Sequence, residues 1–517
     1  MMKKLLAALL AVCLLVTLCP AALAAQTDDL SGAIAGAQKY LLDSLPRGTT
    51  GGAADSIVFA LVRSNAALPT DYTLQYAQSV AAELLENGGA LALQRGGEMG
   101  RAVLALTAMG YDPSNLCGQN LLPALADYDT TVRYGISGAI TVLRALDSRG
   151  YTIPKADVST QATRALYLNS ILNVQLPDGG WTHSGGKANA ELTANVLQVL
   201  ANYRDQSAVE NAIDLALTRL SELQQDDGGF TTWSTPSAEP TAQVVLALCA
   251  LGIPLDDARF TKNGATALDK LLTYQDASGG FRSTTTPHIT ATYQALEALC
   301  AVQRSRAGST PLFDLSDVVM TQPETRSTDA KPLTLQKPGA VFSDTERHEN
   351  RDAISILGAY GVISGVGNGR FSPDSTMTRA QFAKIVVCAL GLEAAYRGTF
   401  TDVAEDAWYA PYVDTAAAYG IARGVGGGLF KPESTITRQE AAVMLTRAAA
   451  LCGFDTQSAD TSNVDAAVAG WAQSAMAFCA AQALFPTALQ TQPMREILRC
   501  EIAQTLCNLL MQTNLLQ

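Results

Sequence analysis

Four acidic side chains could carry acid–base chemistry, because each stands near the start of a helix-length stretch with apolar periodicity. These residues are Asp55, Glu98, Glu191 and Glu239. A facing pair of carboxyl groups can serve as general acid and general base in polysaccharide cleavage. The helix dipole alone also favours acids at such positions, by about 0.3–1 kcal/mol each. Two interpretations stay open: a polysaccharide hydrolase or lyase that uses Glu98, Glu191 and Glu239, or a noncatalytic module without catalytic residues.

The sequence gives little indication of a metal-binding site. The three histidines, His183, His288 and His348, stand in unrelated contexts, and no two cysteines have Cys-x-x-Cys spacing. A zinc site normally draws on such clusters. We therefore expect no metal and no cofactor. For the cysteines, disulfides stay open, and we favour buried free thiols because most of them lie in apolar helical patterns.

The four acids belong to a repeat array over residues 26–303. A glycine-pair motif occurs three times, with starts 49 and 51 residues apart: Gln175-Leu-Pro-Asp-Gly-Gly-Trp181, Gln224-Gln-Asp-Asp-Gly-Gly-Phe230 and Gln275-Asp-Ala-Ser-Gly-Gly-Phe281. Such a period indicates stacked supersecondary units. Apolar periodicity predicts six inner helices near 53–64, 97–109, 133–149, 188–203, 237–251 and 288–303. Outer helices are predicted near 30–45, 71–86, 114–127, 157–174, 208–223 and 261–274. Helices paired in this number close a ring, which is an all-α (α/α)6 toroid.

The glycine-pair motif resembles the QW-type repeats of the terpenoid cyclase and protein prenyltransferase superfamily, and this resemblance implies the toroid fold for 26–303. It implies no activity. The sequence contains neither the Asp-x-Asp-Asp motif of the cyclases nor the thioester signature of complement-like toroids, and no zinc-binding set of Asp, Cys and His is evident. We favour a noncatalytic binding module for an unknown ligand, with Trp233 as a candidate ligand contact.

Residues 304–340 are rich in Ser, Thr and Pro and lack a sustained apolar period, so we predict a semi-extended linker. Part of it, Leu312-Phe-Asp-Leu315, is apolar enough to pack on the toroid. Because the linker offers few apolar side chains for a shared interface, we expect weak coupling between the two halves and separate unfolding transitions.

A second repeat array occupies residues 341–513. Each unit combines an acidic opening with a later Arg at a helix start, and the first two units add paired glycines and a Phe-x-Pro turn between them. The openings are Phe342-Ser-Asp344, Phe400-Thr-Asp402 and Val464-Asp465, and the helix starts are Thr378-Arg379, Thr437-Arg438 and Leu498-Arg499.

This order of motifs resembles that of S-layer homology (SLH) domains, here SLH 1 (341–396), SLH 2 (397–456) and a degenerate SLH 3 (460–513). The resemblance implies a three-pronged helical bundle that binds pyruvylated secondary cell-wall polysaccharide noncovalently. By resemblance, the polysaccharide-binding residues are Asp344, Arg379, Asp402, Trp408, Arg438, Asp465, Trp471 and Arg499.

Each of the three arginines would offer a guanidinium fork, together with backbone N–H groups of its helix N-terminus, to a ketal carboxylate. A salt bridge between repeats is the alternative role for these arginines. The third copy lacks the Phe-x-Pro turn and the paired glycines, so its groove either binds polysaccharide or is only structural.

The N-terminus and the overall charge indicate the location of the protein. Lys3 and Lys4 precede an apolar run that ends at an Ala-Leu-Ala pattern, which is typical of a signal peptide over residues 1–24. No later apolar run is long enough for a transmembrane segment. The 517-residue chain carries 36 Lys+Arg and 48 Asp+Glu, a net charge of −12, so we expect no nucleic-acid binding. We expect an extracellular protein at the cell wall and S-layer surface of a Gram-positive-type envelope.

Overall fold

The structure is a computed structural model that describes residues 30–45, 51–69, 72–88, 91, 96–232, 235–320, 330–456 and 458–517. The predicted signal peptide and Trp233 lie outside the described residues. The described part of the chain contains eighteen α-helices, five short 3-10 helices and one pair of two-residue strands. The predicted all-α class is confirmed. All eight described cysteines are free thiols, as the sequence predicted.

The N-terminal half holds the helices of the toroid. They are α1 (30–43), α2 (Ala53–Arg63), α3 (Tyr72–Glu86), α4 (Gly96–Ala108), α5 (Tyr128–Val132), α6 (Ser137–Asp147), α7 (Arg164–Leu172), α8 (Ala190–Leu200), α9 (Ser207–Leu223), α10 (Ala238–Leu251), α11 (Ala267–Leu272) and α12 (Ile289–Arg306). The 3-10 helices Leu122–Ala126, Ala201–Tyr203 and Ala258–Phe260 and the strands β1 (Thr231–Thr232) and β2 (Thr235–Pro236) lie between them.

The even-numbered helices α2 to α12 form the inner ring. Each packs against the next, and α12 packs against α2, which closes the ring that the repeat count predicted. Three outer positions depart from the predicted pattern. Helices α7 and α11 are shorter than the predicted 157–174 and 261–274, and within 114–127 only the 3-10 helix Leu122–Ala126 is helical. Pro123 lacks an amide hydrogen, and Gly118 has a positive φ of 69°, so a regular helix cannot run through this segment.

The repeated glutamine of the glycine-pair motif links neighbouring outer positions. In the last copy, Nε2 of Gln275 donates to the carbonyl oxygen of Gly279 at 2.9 Å and to that of Ala33 on α1 at 2.8 Å. Gln175 and Gln224 make the equivalent bonds within their own loops and to the following outer segment. The motif therefore determines the spacing of the outer layer, and its last copy closes the ring.

We expect Gly279→Ala to weaken this closure strongly. Gly279 has φ +86°, and a Cβ atom there would lie 2.3 Å from the carbonyl oxygen of Gly36 on α1. Left-handed strain and steric overlap together predict a loss of about 3 kcal/mol in unfolding free energy. Gly308 is the matched control, because its φ is +65° but no atom lies within 4 Å of the added Cβ. Gly308→Ala should cost about 1 kcal/mol. Equal losses in denaturant titrations would contradict the steric explanation.

The C-terminal half is a bundle of six helices, two for each repeat. They are α13 (Arg351–Ala359), α14 (Arg379–Ala389), α15 (Ala410–Ala418), α16 (Arg438–Leu451), α17 (Gln473–Ala481) and α18 (Arg499–Met511). The 3-10 helices Gly470–Ala472 and Thr487–Leu489 lie in the third repeat. Short antiparallel bridges join the repeats in a cycle, through Thr378 and Thr435, Thr437 and Glu496, and Leu498 and Thr376. The third repeat thus completes the bundle although its sequence is degenerate.

Part of the predicted linker forms a strap across the toroid, which we define as residues 310–318. Arg63, the last residue of α2, donates to the carbonyl oxygen of Leu312 at 3.1 Å. Arg149, which follows α6, donates to that of Leu315 at 2.7 Å. The Phe313 ring stacks on Phe59 with centroids 5.1 Å apart. The strap therefore closes the end of the toroid at which the inner helices finish.

The toroid and the bundle share an interface, so the expected weak coupling is wrong. Helix α3 packs against α13. On α3, the Gln78 amide donates to Asn508 at 2.7 Å and accepts from Gln504 at 2.6 Å, both on α18. All three amide side chains are buried. The linker composition could not reveal this contact, because the residues that form it lie on helices far from the linker.

We expect one cooperative thermal transition for the whole chain in place of the two that the sequence suggested. Gln78→Ala should lower the unfolding free energy by about 1–3 kcal/mol, because it removes two buried hydrogen bonds between the toroid and the bundle. The exposed Gln206 serves as the control, and Gln206→Ala should change stability little. Two resolved calorimetric transitions in the unmodified chain would contradict a single cooperative unit.

Candidate functional site

The acids predicted at the toroid rim fall into two groups. Glu98 lies 3.8 Å from Arg101 on the same helix and is nearly buried. Asp55 is fully buried and accepts hydrogen bonds from the Tyr76 hydroxyl at 2.7 Å and the Gly51 amide at 2.9 Å. Burial raises the pKa of Asp55 above its ordinary value although these bonds favour the charged form.

Glu191 and Glu239 form the second group. Burial raises the pKa of Glu191, and the charge of Glu239 raises it further, while a hydrogen bond from Gln294 opposes the shift. The hydroxyl of Ser237 donates to the Glu239 carboxylate. The carboxyl groups of Glu191 and Glu239 are therefore close enough to interact electrostatically, whereas the carboxylate of Glu98 pairs with Arg101.

A central cavity of about 170 Å³ lies within the inner ring. All six inner helices and the strap contribute polar or aromatic side chains to its wall, among them Asp55, Arg101, Arg144, Asn195, Gln243, Glu297 and Phe313. Arg144 and Glu297 were not among the site residues predicted from the sequence. The available signal was a single charged residue in each of two otherwise apolar inner stretches, Val142-Leu-Arg-Ala-Leu146 and Ala295-Leu-Glu-Ala-Leu299.

Arg144 and Glu297 carry the strongest electrostatic perturbations in this cavity. Burial lowers the pKa of Arg144 to about 10. Burial also raises the pKa of Glu297 to about 8, although the positive charge of Arg144 acts in the opposite direction. The Glu297 carboxyl group is therefore largely protonated at neutral pH.

In the bundle, two of the three predicted binding arginines are neutralised by carboxylates of the following repeat. Arg379 lies 2.9 Å from Glu440, and Arg438 lies 2.7 Å from Glu501. Both arginines are buried. This geometry matches the salt-bridge alternative for Arg379 and Arg438.

Arg499 differs from the other two arginines. The first repeat carries the neutral Gln381 at the helix position that Glu440 and Glu501 occupy in the others. No described carboxylate comes within 4 Å of the Arg499 guanidinium, which donates instead to the carbonyl oxygens of Phe371 and Ser364, each at 3.0 Å. Its carbon lies 4.5 Å from the centre of the Phe371 ring. The third repeat, which diverges most in sequence, supplies the arginine without a paired acid.

The backbone amides at these helix starts do not point to a ligand, contrary to the expectation above. The amide of Arg499 donates to the carbonyl oxygen of Ser375, and that of Arg379 donates to the carbonyl oxygen of Ser434. The Arg438 amide likewise donates to a carbonyl oxygen of the next repeat. Each N-terminus is used to join two repeats, so only the guanidinium groups remain as anion donors.

The three predicted aspartates have unequal surroundings. Asp344 accepts from the amides of Phe371 and Ser372, each at 2.8 Å, and Asp402 accepts from the equivalent amides of the second repeat. Burial opposes ionisation of Asp344, but these amide bonds keep its pKa below the ordinary value. Asp465 accepts only from the local amide of Ala467 among the described residues. The first two aspartates therefore shape the Phe-x-Pro turns.

Two predicted tryptophans are exposed, as a sugar-stacking role requires. Trp408 is 53% exposed and Trp471 is 62% exposed. The ammonium group of Lys384 on α14 lies 5.4 Å from the centre of the Trp408 ring. Each tryptophan thus presents an aromatic face to solvent.

One cluster of possible metal ligands occurs near Arg499 among the described residues. Nε2 of His348 lies 3.5 Å from Asp374, and the thiol of Cys500 is close to both. Nδ1 of His348 accepts the amide hydrogen of Asn350 at 3.1 Å, so in neutral histidine Nε2 carries the proton. Nε2 and Asp374 are close enough for electrostatic attraction, and the structure shows no hydrogen bond between them among the described residues.

Two domain families match this chain. The S-layer homology domain model matches residues 341–383 and 399–442. The prenyltransferase alpha-alpha toroid domain model matches residues 136–254 and 244–352. No helix in the described part of the chain is both long and apolar enough to cross a membrane.

Curated relatives share a limited part of the sequence. The surface layer protein of Brevibacillus choshinensis is 41% identical over 129 residues, 23% of this chain and 12% of that protein. An exoglucanase of Acetivibrio thermocellus is 30% identical over 151 residues, 28% of this chain and 14% of the enzyme. The aligned part of this chain therefore spans less than a sixth of these relatives.

Solved structures with similar helical arrangements have low sequence identity. A type II terpene cyclase from Scytonema has a TM-score of 0.38 and 15% identity, and the alignment covers 54% of this chain and 98% of that one. An unsaturated glucuronyl hydrolase from Bacillus sp. GL1 has a TM-score of 0.38 and 13% identity, covering 56% and 99%.

The S-layer homology matches and the surface-layer relatives identify an extracellular protein associated with the cell wall. The chain carries a prenyltransferase-type alpha-alpha toroid domain followed by S-layer homology domains.

Proposed function

We propose that the bundle anchors this protein noncovalently to secondary cell-wall polysaccharide, and that Arg499 binds an acidic substituent such as a pyruvyl ketal. The observation that carries this proposal is the lack of a paired carboxylate at Arg499 among the described residues, in contrast to Arg379 and Arg438. Asp344 acts on the Arg499 guanidinium only from beyond salt-bridge distance, so the guanidinium can still bind a ligand carboxylate through hydrogen bonds.

The surroundings of Arg499 support this role. Its two hydrogen bonds use Nε and Nη2, so Nη1 has no hydrogen-bond partner among the described residues. The Phe371 ring beneath the guanidinium holds it in place, and burial lowers the pKa of Arg499 while leaving it charged at neutral pH. The exposed rings of Trp408 and Trp471 offer additional surfaces for sugar stacking.

Sedimentation of the chain with purified pyruvylated wall polysaccharide tests this role, with Gln381→Glu as the most informative variant. This change installs the acid found in the other two repeats and keeps the helix cap that Gln381 makes with Thr378. The new carboxylate should neutralise Arg499 and weaken binding at least about tenfold, or about 1.4 kcal/mol.

Arg499→Gln should weaken binding to a similar extent. Arg495→Gln is the matched control, because Arg495 is an exposed arginine of the same repeat. Unchanged retention of both the Gln381→Glu and Arg499→Gln proteins would contradict the proposal, as would a loss of retention with the control.

For the toroid, we propose a noncatalytic binding module that the anchor presents outside the cell. The unpartnered polar groups in its central cavity support binding, and the missing catalytic motifs favour the absence of turnover. The second candidate is a polysaccharide hydrolase or lyase, which the coupled carboxyl groups of Glu191 and Glu239 favour. Wall polysaccharide that is cleaved by the chain and left intact by a Glu191→Gln variant would establish this second candidate.

A further inference from the structure

Several buried polar groups in the central cavity have no partner among the described residues. Glu297 is 7% exposed and makes no hydrogen bond to any described residue. Oδ2 of the fully buried Asp55 and Oε1 of Gln294 also lack hydrogen-bond partners. Each such group costs about 1–3 kcal/mol when it is left unsatisfied. Their convergence on one cavity indicates a bound polar molecule.

The charge in this cavity favours an anion. Arg144 donates to two neutral amide oxygens, those of Asn195 at 3.2 Å and Gln198 at 3.0 Å, and its buried Nε has no partner. The other cation of the wall, Arg101, has Glu98 at 3.8 Å. Glu297 faces the same cavity and is largely neutral at pH 7. Arg144 is therefore a half-buried cation whose guanidinium has no described carboxylate within 4 Å.

The volume of the cavity and its other lining side chains restrict the class of ligand further. A volume of about 170 Å³ equals that of roughly six water molecules at ~30 Å³ each, which suits a single small ring. The amides of Asn195, Gln243 and Gln294 can donate to and accept from hydroxyl groups. The Phe313 ring of the strap closes the cavity beneath Arg144, with the guanidinium carbon 4.3 Å from the ring centre. A hydroxylated acid meets all three conditions.

We infer that the central cavity binds a sugar acid, a polyhydroxylated carboxylic acid of single-ring size, with its carboxylate on Arg144. This inference rests on the proposed binding role of the toroid and names the ligand class for that role. The carboxylate would supply a counter-ion to Arg144, and the hydroxyl groups would bond to Glu297 and to the amide side chains that line the cavity.

Isothermal titration calorimetry of the full chain with D-glucuronate and D-glucose tests the inference. The two sugars differ at the carboxylate, so we expect glucuronate to bind at least about tenfold more tightly, a difference of about 1.4 kcal/mol. Equal affinities, or no measurable heat with glucuronate up to millimolar concentration, would overturn it. This comparison needs no variant.

Asn195→Asp tests the role of Arg144 directly. The substitution places a carboxylate 3.2 Å from the guanidinium and should remove the preference for glucuronate over glucose. Arg149→Gln is the matched control, because Arg149 also contacts the strap but does not line the central cavity. Preference that persists in the Asn195→Asp protein, or disappears equally in the Arg149→Gln protein, would contradict binding at Arg144. If Asn195→Asp does not fold, Arg144→Lys replaces it and should weaken glucuronate binding severalfold.

A glycoside distinguishes failure of this inference from failure of the noncatalytic role. We expect p-nitrophenyl β-D-glucuronide to remain intact during prolonged incubation with the chain. Release of p-nitrophenol that Glu191→Gln abolishes would show catalysis and refute the noncatalytic role while supporting the sugar-acid class. Absence of glucuronate binding would refute the sugar-acid class and leave the wall-anchoring proposal unaffected.

Discussion

Replacing Glu297 by glutamine should stabilise the protein at pH 8 by several kcal/mol and at pH 5 by only about 1 kcal/mol. Burial among the inner helices raises the pKa of Glu297 to about 8 in the folded state. In the unfolded chain the group returns to an ordinary value near 4.3. Each unit of difference corresponds to about 1.4 kcal/mol, so the full effect is of the order of 5 kcal/mol.

The sign of this effect follows from proton uptake. Because the folded state holds the proton more tightly, its stability is greatest below the unfolded pKa. It declines as the pH rises from about 4.3 to 8, since the unfolded state then gains by ionising. A glutamine side chain does not ionise, so the Glu297→Gln variant should lose this decline. The other titratable groups that face this cavity are Asp55, Arg101, Arg144 and Tyr293, and they are the same in both proteins.

Denaturant titrations of both proteins between pH 5 and pH 9 provide the measurement. Glu405 is exposed and makes no hydrogen bond to a described residue, so Glu405→Gln is the control and should follow the parent curve. Parallel curves for the Glu297→Gln protein and the parent would show that Glu297 ionises normally in the folded state. The prediction would then be wrong, and so would the statement that the Glu297 carboxyl group is largely neutral at pH 7.

Arg438→Gln should destabilise the chain by about 3–5 kcal/mol, because it leaves the carboxylate of Glu501 without its cation. Arg438 is 3% exposed and also donates to the carbonyl oxygens of Ala488 and Thr491 at 3.1 and 3.0 Å. The substitution therefore removes several buried polar contacts at the junction of the second and third repeats. Thermal and denaturant unfolding of the full chain measures the loss.

Arg499→Gln is the matched control for this effect. Arg499 stands at the equivalent position of its repeat but has no described carboxylate partner, so the loss should be near 1–2 kcal/mol. A double variant, Arg438→Gln with Glu501→Gln, should recover part of the stability because no unpaired charge remains. Equal losses at Arg438 and Arg499 would contradict the distinction between structural and ligand-binding arginines.

The arginine at the helix start can therefore have two different roles in these repeats. In two repeats the arginine forms a direct salt bridge to the next repeat, and in one repeat it has no described carboxylate within 4 Å. One helix position accounts for the difference, because it holds Gln381 in the first repeat and Glu440 and Glu501 in the other two. Polysaccharide binding through the Arg499 groove would then survive the degeneration of the third repeat, because the groove is built from the third and first repeats together.

Local sequence determined the layers of the toroid. The glycine-pair loops and the apolar periodicity predicted every inner helix to within a few residues, since φ values near +85° and close backbone contacts at Gly179, Gly228 and Gly279 exclude other residues. The same reasoning located the helix starts of the bundle through their Thr caps at Thr378 and Thr437. The third outer segment, 114–127, was predicted to be a helix because its apolar periodicity was given more weight than Pro123.

Only the tertiary structure determines which residues that are distant in the sequence contact each other. The partners of Arg379 and Arg438 lie about 60 residues away, so repeat motifs identified the arginines but not which of them would be neutralised. The interface at Gln78 joins residues more than 420 positions apart. Arg144 and Glu297 could not be predicted as cavity residues for the same reason. Each is a single charged residue in an apolar helix. Only closure of the ring brings both side chains to the desolvated centre, where their pKa values shift.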